Sequence, residues 1–113
     1  MRRNIIAQRE LVSGGRTFQV RFEKPRIDKT GDYACRFSLV DEDGTEVVAQ
    51  AMYGVDAVQA LVFAITIADL RLRAEGLELT WLESRHTGLP RVLDPNHPGG
   101  LSFYIPQDET EPE

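Results

Sequence analysis

The stretch Gly54-Val55-Asp56-Ala57-Val58-Gln59-Ala60-Leu61 decides the fold, because it opens one long helix running to about Glu75. Asp56 stands where an N-cap belongs, and Gln59 follows at the spacing of a capping box. In that arrangement the Asp56 carboxylate accepts from the Gln59 backbone N–H, while the Gln59 side chain reaches back to the Asp56 N–H. Asp56 and Gln59 are therefore read as a structural helix cap. Ligand contact at the helix start is the competing reading, but the cap explains both side chains without a ligand. Gly76 ends the helix, and Arg71 and Arg73 in the last turn suit the negative end of its dipole.

At 100° per residue, Val58, Leu61, Val62, Ile65 and Leu72 share one helix face. Phe63, Ile67 and Leu70 share a second, nearly opposite face, with Ala57, Ala60, Ala64 and Ala68 along part of the gap. A surface helix carries one apolar stripe, so this helix is covered on more than one side. The first face is expected to pack on a sheet. The second needs either the C-terminal segment or another subunit, which makes Phe63, Ile67 and Leu70 a candidate interface.

Upstream, the chain reads as strands. Asn4 to Val12 leads through Ser13-Gly14-Gly15 into Arg16–Lys24, where Phe18, Val20 and Phe22 alternate with polar residues. Pro25 ends that run, and a polar loop reaches Gly31. Asp32 to Val40 places Tyr33, Cys35, Phe37 and Leu39 on one side; Asp41-Glu42-Asp43-Gly44 turns into a fourth strand, Thr45 to Tyr53. Downstream, Leu77 to Glu83 alternates and reads as a fifth strand, residues 84–100 look irregular, and Leu101 to Ile105 can form a last short strand. The expected architecture is α+β: an antiparallel β-meander of about four to six strands with one long helix packed across one face.

The bulk numbers fit one domain over residues 1–106, with 107–113 as an acidic disordered tail. That tail holds four acids and no base, so it supplies most of the net charge of −5. Residues 1–40 carry nine Lys or Arg against four acids, and residues 41–113 carry four against fourteen. One cysteine excludes an internal disulfide and a thiolate zinc site. The most apolar segment, Ala57 to Ala68, would span about 18 Å as a helix, too short to cross a bilayer. No signal-peptide core follows Met1, so a cytoplasmic protein without a membrane role is the default reading.

Candidate chemistry concentrates in the long segment 84–100, which holds Arg85, His86, Arg91, Asp94 and His97. Long loops in small domains are often functional, and these residues form the candidate ligand or partner loop. His86, Asp94 and His97 match no metal-ligand spacing, and no metal or cofactor is expected. Cys35 lies on the face of Phe37, which predicts an inert buried thiol. A hydrolase elbow and a phosphate-binding glycine loop are both missing, so no catalytic residue is assigned. Arg21 and Arg36 point away from the aromatic face, so the exposed stacking rings of a nucleic-acid-binding sheet are lacking and nucleic acid is not the expected partner.

Pro25, the segment Gly31-Asp32-Tyr33-x-Cys35 and the helix start Gly54-x-Asp56-x-x-Gln59-Ala60-Leu61 together resemble a family of small uncharacterised bacterial proteins. The resemblance covers about residues 5–82. It implies an α+β domain in a bacterial cytoplasm and carries no activity, cofactor or catalytic residue.

Two functions remain in contention. The favoured expectation is a small non-enzymatic interaction module, accessory or immunity-like, binding another protein or a second copy of itself through Phe63, Ile67 and Leu70. Its rival is a small-ligand binder or enzyme using a pocket between the helix and loop 84–100, with His86, Arg91 and His97 as polar groups. Convergent polar groups in a pocket favour the rival; a flat apolar patch favours the module.

Overall fold

Strands β1 (Ile5–Ser13) and β2 (Arg16–Glu23) form a hairpin whose two loop residues, Gly14 and Gly15, both take positive φ. That backbone matches the strand twist and suits glycine, which has no Cβ to clash. The computed structural model of the chain describes residues 4–92 and 103–106. The expected acidic tail, 107–113, lies outside the described residues, as do Asp94 and His97.

After Pro25 the chain resumes pairing as β3 (Arg26–Ile27), inside the segment expected to be a loop. Strand β4 (Tyr33–Val40) takes β2 and β3 along one side and β5 (Glu46–Gly54) along the other, every pairing antiparallel. The turn between β4 and β5 is organised by Asp41, whose Oδ1 accepts from Asp43 N and Thr45 N, both at 2.9 Å. Phe18, Val20, Phe22, Cys35, Phe37, Leu39 and Val48 point to one face and are buried.

Helix α1 (Ala57–Ala74) packs across that face, over β4 and β5. Its N-cap is Asp56, whose Oδ1 accepts from Gln59 N at 2.8 Å. The reciprocal bond differs from expectation by one residue: Gln59 Oε1 accepts from Val55 N, at 2.8 Å, rather than from Asp56 N. Gly54 explains the close strand-to-helix junction, since a Cβ there would stand 2.5 Å from Ala60 N.

The helix face that meets the sheet is not the one expected. Val58 is 70% exposed, Val62 is also exposed, and Leu61 and Ile65 are half-buried at the margin; of that set only Leu72 is fully buried. The buried ridge is Ala60, Ala64, Ala68 and Leu72, at four-residue spacing. Volume is the reason. The sheet fills the interior with large rings, including Phe18 and Phe37, so the helix approaches on its small side chains.

The expected fifth strand contracts to an isolated bridge between Val12 and Thr80. Leu79 is buried, and Leu77 and Trp81 pack on the core, so the alternation is real although the ladder stops. It stops because the chain reverses at Leu82 and Glu83, both at positive φ, and Ser84 N returns to donate to Trp81 O at 2.8 Å. Further on, β6 (Arg91–Val92) pairs with β7 (Phe103–Tyr104), which puts a strand in the segment expected to be irregular. Strand β6 of this small sheet lies against α1. The C-terminal half of the helix is therefore covered on two sides, and Thr66 and Asp69 are buried off the alanine ridge.

Candidate functional site

Asp69 sits on the helix between Ala68 and Leu70 and is 0% exposed. A carboxylate in that position requires partners. It has three: Arg73 Nε donates to Oδ2 at 2.8 Å, Arg91 Nε donates to the same oxygen at 2.9 Å, and Thr87 Oγ1 donates to Oδ1 at 2.8 Å. Burial pushes the Asp69 carboxyl up, but the bonds from Arg91, Thr87 and Arg73 outweigh it and hold the group below the usual carboxylate range. Arg91 is stabilised as a cation in turn by Asp69.

Thr87 is gripped from the opposite side by the sheet. Arg9, on β1, donates from Nη1 to Thr87 O at 3.1 Å, and its guanidinium lies 3.8 Å from the centre of the Trp81 ring. Gly88, at φ +75°, passes against that ring, and a Cβ there would collide with it. The segment after Trp81 is thus clamped between the sheet edge and the helix.

The clamp frames a pocket of about 420 Å³. Leu72, Leu77 and Leu79 supply its apolar wall, and Arg73, Arg85, His86 and Arg91 bring four basic side chains against Asp69 and Glu78. The volume falls in the usual range for small-molecule sites, and an apolar wall with a few convergent polar groups is their usual chemistry. With His86 neutral, the lining holds three arginines against Asp69 and Glu78, a net charge of +1, which favours an anion over a cation. Its hydroxyls offer little for covalent catalysis: Thr87 Oγ1 donates to Asp69 and accepts from Leu89 N at 3.2 Å.

Of the residues anticipated from sequence, Arg85, His86 and Arg91 line this pocket. Asp94 and His97 fall outside the described residues. Asp56 and Gln59 form the helix cap, at the opposite end of α1. Phe63 and Ile67 are half-buried and Leu70 is partly exposed. Sequence reasoning missed Asp69, although an acid one turn after Ile65 on an apolar face was the available signal. Arg73 was read only as a dipole partner, and Thr87 carried no signal.

Among the described residues no cluster of His, Cys, Asp or Glu could hold a metal ion, and no helix is long and apolar enough to cross a membrane. Cys35 is buried, its Sγ donates to Glu23 O at 3.3 Å, and desolvation together with Glu23 pushes its thiol up to about 11. On the outer sheet face Arg36 is engaged by Glu23 and Glu46, both at 2.7 Å, which cancels much of the basic character there.

A family model described as a domain of unknown function matches residues 7–91, a span that takes in the five-stranded sheet except the first two residues of β1, the helix and the clamped segment. No curated protein and no solved structure shows significant similarity to the chain.

Proposed function

The chain belongs to the domain-of-unknown-function family DUF6968, and from its geometry we propose that it is a small-ligand-binding domain rather than an enzyme. The ligand has an apolar body and an anionic head. One observation carries this reading: Arg73, Arg85, His86 and Arg91 converge on a cavity walled by Leu72, Leu77 and Leu79. A carboxylate presented to an arginine makes a charge-assisted bond, and the leucines take the hydrocarbon portion. The clamp on Thr87 supports it further, because a wall fixed in advance lowers the ordering cost of binding.

Calorimetric titration with 3-phenylpropionate and with its primary amide tests the reading. The acid should bind saturably, and the amide about tenfold or more weaker, reflecting loss of one charge-assisted bond. Equal binding of the two compounds, or none, rejects an anion site.

A protein-interaction role is the second reading. It is favoured by Leu70, 39% exposed, with the half-buried Phe63 and Ile67 on the same face of α1. The helix surface of Phe63, Ile67 and Leu70 is then the contact, with a partner protein or a second copy on it. A Leu70→Lys variant that stays folded and loses a self-association or partner complex would support this role.

A further inference from the structure

Strand β5 is hydrogen-bonded to β4 along its length on one side, and among the described residues no strand pairs with its other side. Unpaired edges of this kind present open N–H and C=O groups, and proteins ordinarily blunt them with proline, lysine, bulges or a covering element. The opposite edge, β1, combines several such devices: a register shift between Ile5 and Ala7, Arg9 and Glu10 mid-strand, and Thr80 bridged to Val12; β5 has one, a register shift opposite Leu39 and Val40 that leaves Val47 as its extra residue. From Val47 to Gly54, β5 has neither charge nor proline, and Val47 and Tyr53 are 40% and 54% exposed. Glu46, at its start, is held by Arg36.

We propose that this edge pairs with the β5 edge of a second copy, antiparallel and centred on Gln50. The register follows from the side chains. Centring on Gln50 sets Val47 against Tyr53, Val48 against Met52, and Ala49 against Ala51 of the other copy. These are apolar, aromatic or small cross-strand pairs, which stabilise antiparallel ladders, and the two Gln50 amides meet at the axis. Charge selects the same occupant. The whole chain carries −5, yet two copies meet here without opposing like charges, whereas a charged partner strand would find no countercharge. Because both copies use the same edge, the assembly closes as a two-fold dimer with one continuous sheet and does not propagate. The pairing is independent of the ligand pocket, which is lined by the C-terminal half of α1 and by residues between 77 and 91, and by no residue of β5.

Sedimentation across a concentration series tests it on three proteins: wild type, Val47→Lys with Tyr53→Lys, and Val47→Glu with Tyr53→Lys. Wild type should dimerise. The double-lysine protein sets lysine against lysine twice and should dissociate at least about tenfold more readily. The Glu/Lys protein should recover the dimer in a salt-sensitive form. Amide exchange on wild type gives a readout free of mutation: protection within 48–52 should grow with concentration. A wild type that is monomeric at every concentration overturns the proposal. So does a dimer that survives the double lysine, and Leu70→Lys then asks whether the helix face holds it.

Discussion

Arg91 Nε donates to Asp69 Oδ2 at 2.9 Å, fastening β6 to the side of α1 that faces away from the alanine ridge. That bond, with Thr87 on the other oxygen, makes one buried carboxylate the anchor of the whole outer layer. Asp69 therefore fastens the helix side of the pocket lining, as Arg9 fastens the sheet side.

Replacing Asp69 by Ala should destabilise the protein by about 3 kcal/mol, the low end for breaking a buried ion pair, because Arg73 can turn to water. Urea unfolding monitors this. A loss under about 1 kcal/mol would mean the network is dispensable.

The same group sets an acid limit. Its folded pKa is depressed, so its contribution is fully present above the ordinary carboxylate value of about 3.9 and is lost as pH falls through the lowered value. Wild-type melting temperature should drop below about pH 4 more steeply than that of Asp69→Asn, which has no such proton to gain. Parallel curves would contradict the assignment.

Cys35 should be inert in the folded state. With its thiol pushed up to about 11 and its side chain buried, it should react with a disulfide reagent at pH 8 only after denaturant is added. Fast labelling of native protein would show the strand face to be open.

Leu82 and Glu83 turn the chain in the left-handed region, where side chains are strained, and Leu82 is 80% exposed. Exchanging the pair for Asn-Gly should raise stability by about 1–2 kcal/mol, since that dipeptide suits a two-residue reversal. An unchanged or lowered denaturation midpoint would imply that the leucine makes a stabilising contact.

How much of this could be read from residues alone depended on how local the signal was. Phe18, Val20 and Phe22 announce a strand through strict alternation, and Asp56 and Gly76 bound the helix through their own backbone needs. The buried helix face was not legible. Ala60, Ala64 and Ala68 score as weakly apolar, and they win only because the sheet opposite them is crowded with rings. Arg91–Val92 is too short for any periodicity and owes its strand form to pairing with Phe103–Tyr104. Arg85, His86 and Arg91 were visible as chemistry in a long loop, but their convergence depended on Asp69, distant in sequence and bonded to their neighbour Thr87.

Amide chemical-shift mapping with 3-phenylpropionate tests the binding site most directly. Saturable shifts should gather at 77–80 and 85–91, and they should weaken in Arg73→Glu. Shifts absent, or confined to the exposed helix start at 55–62, would contradict the pocket as the functional site.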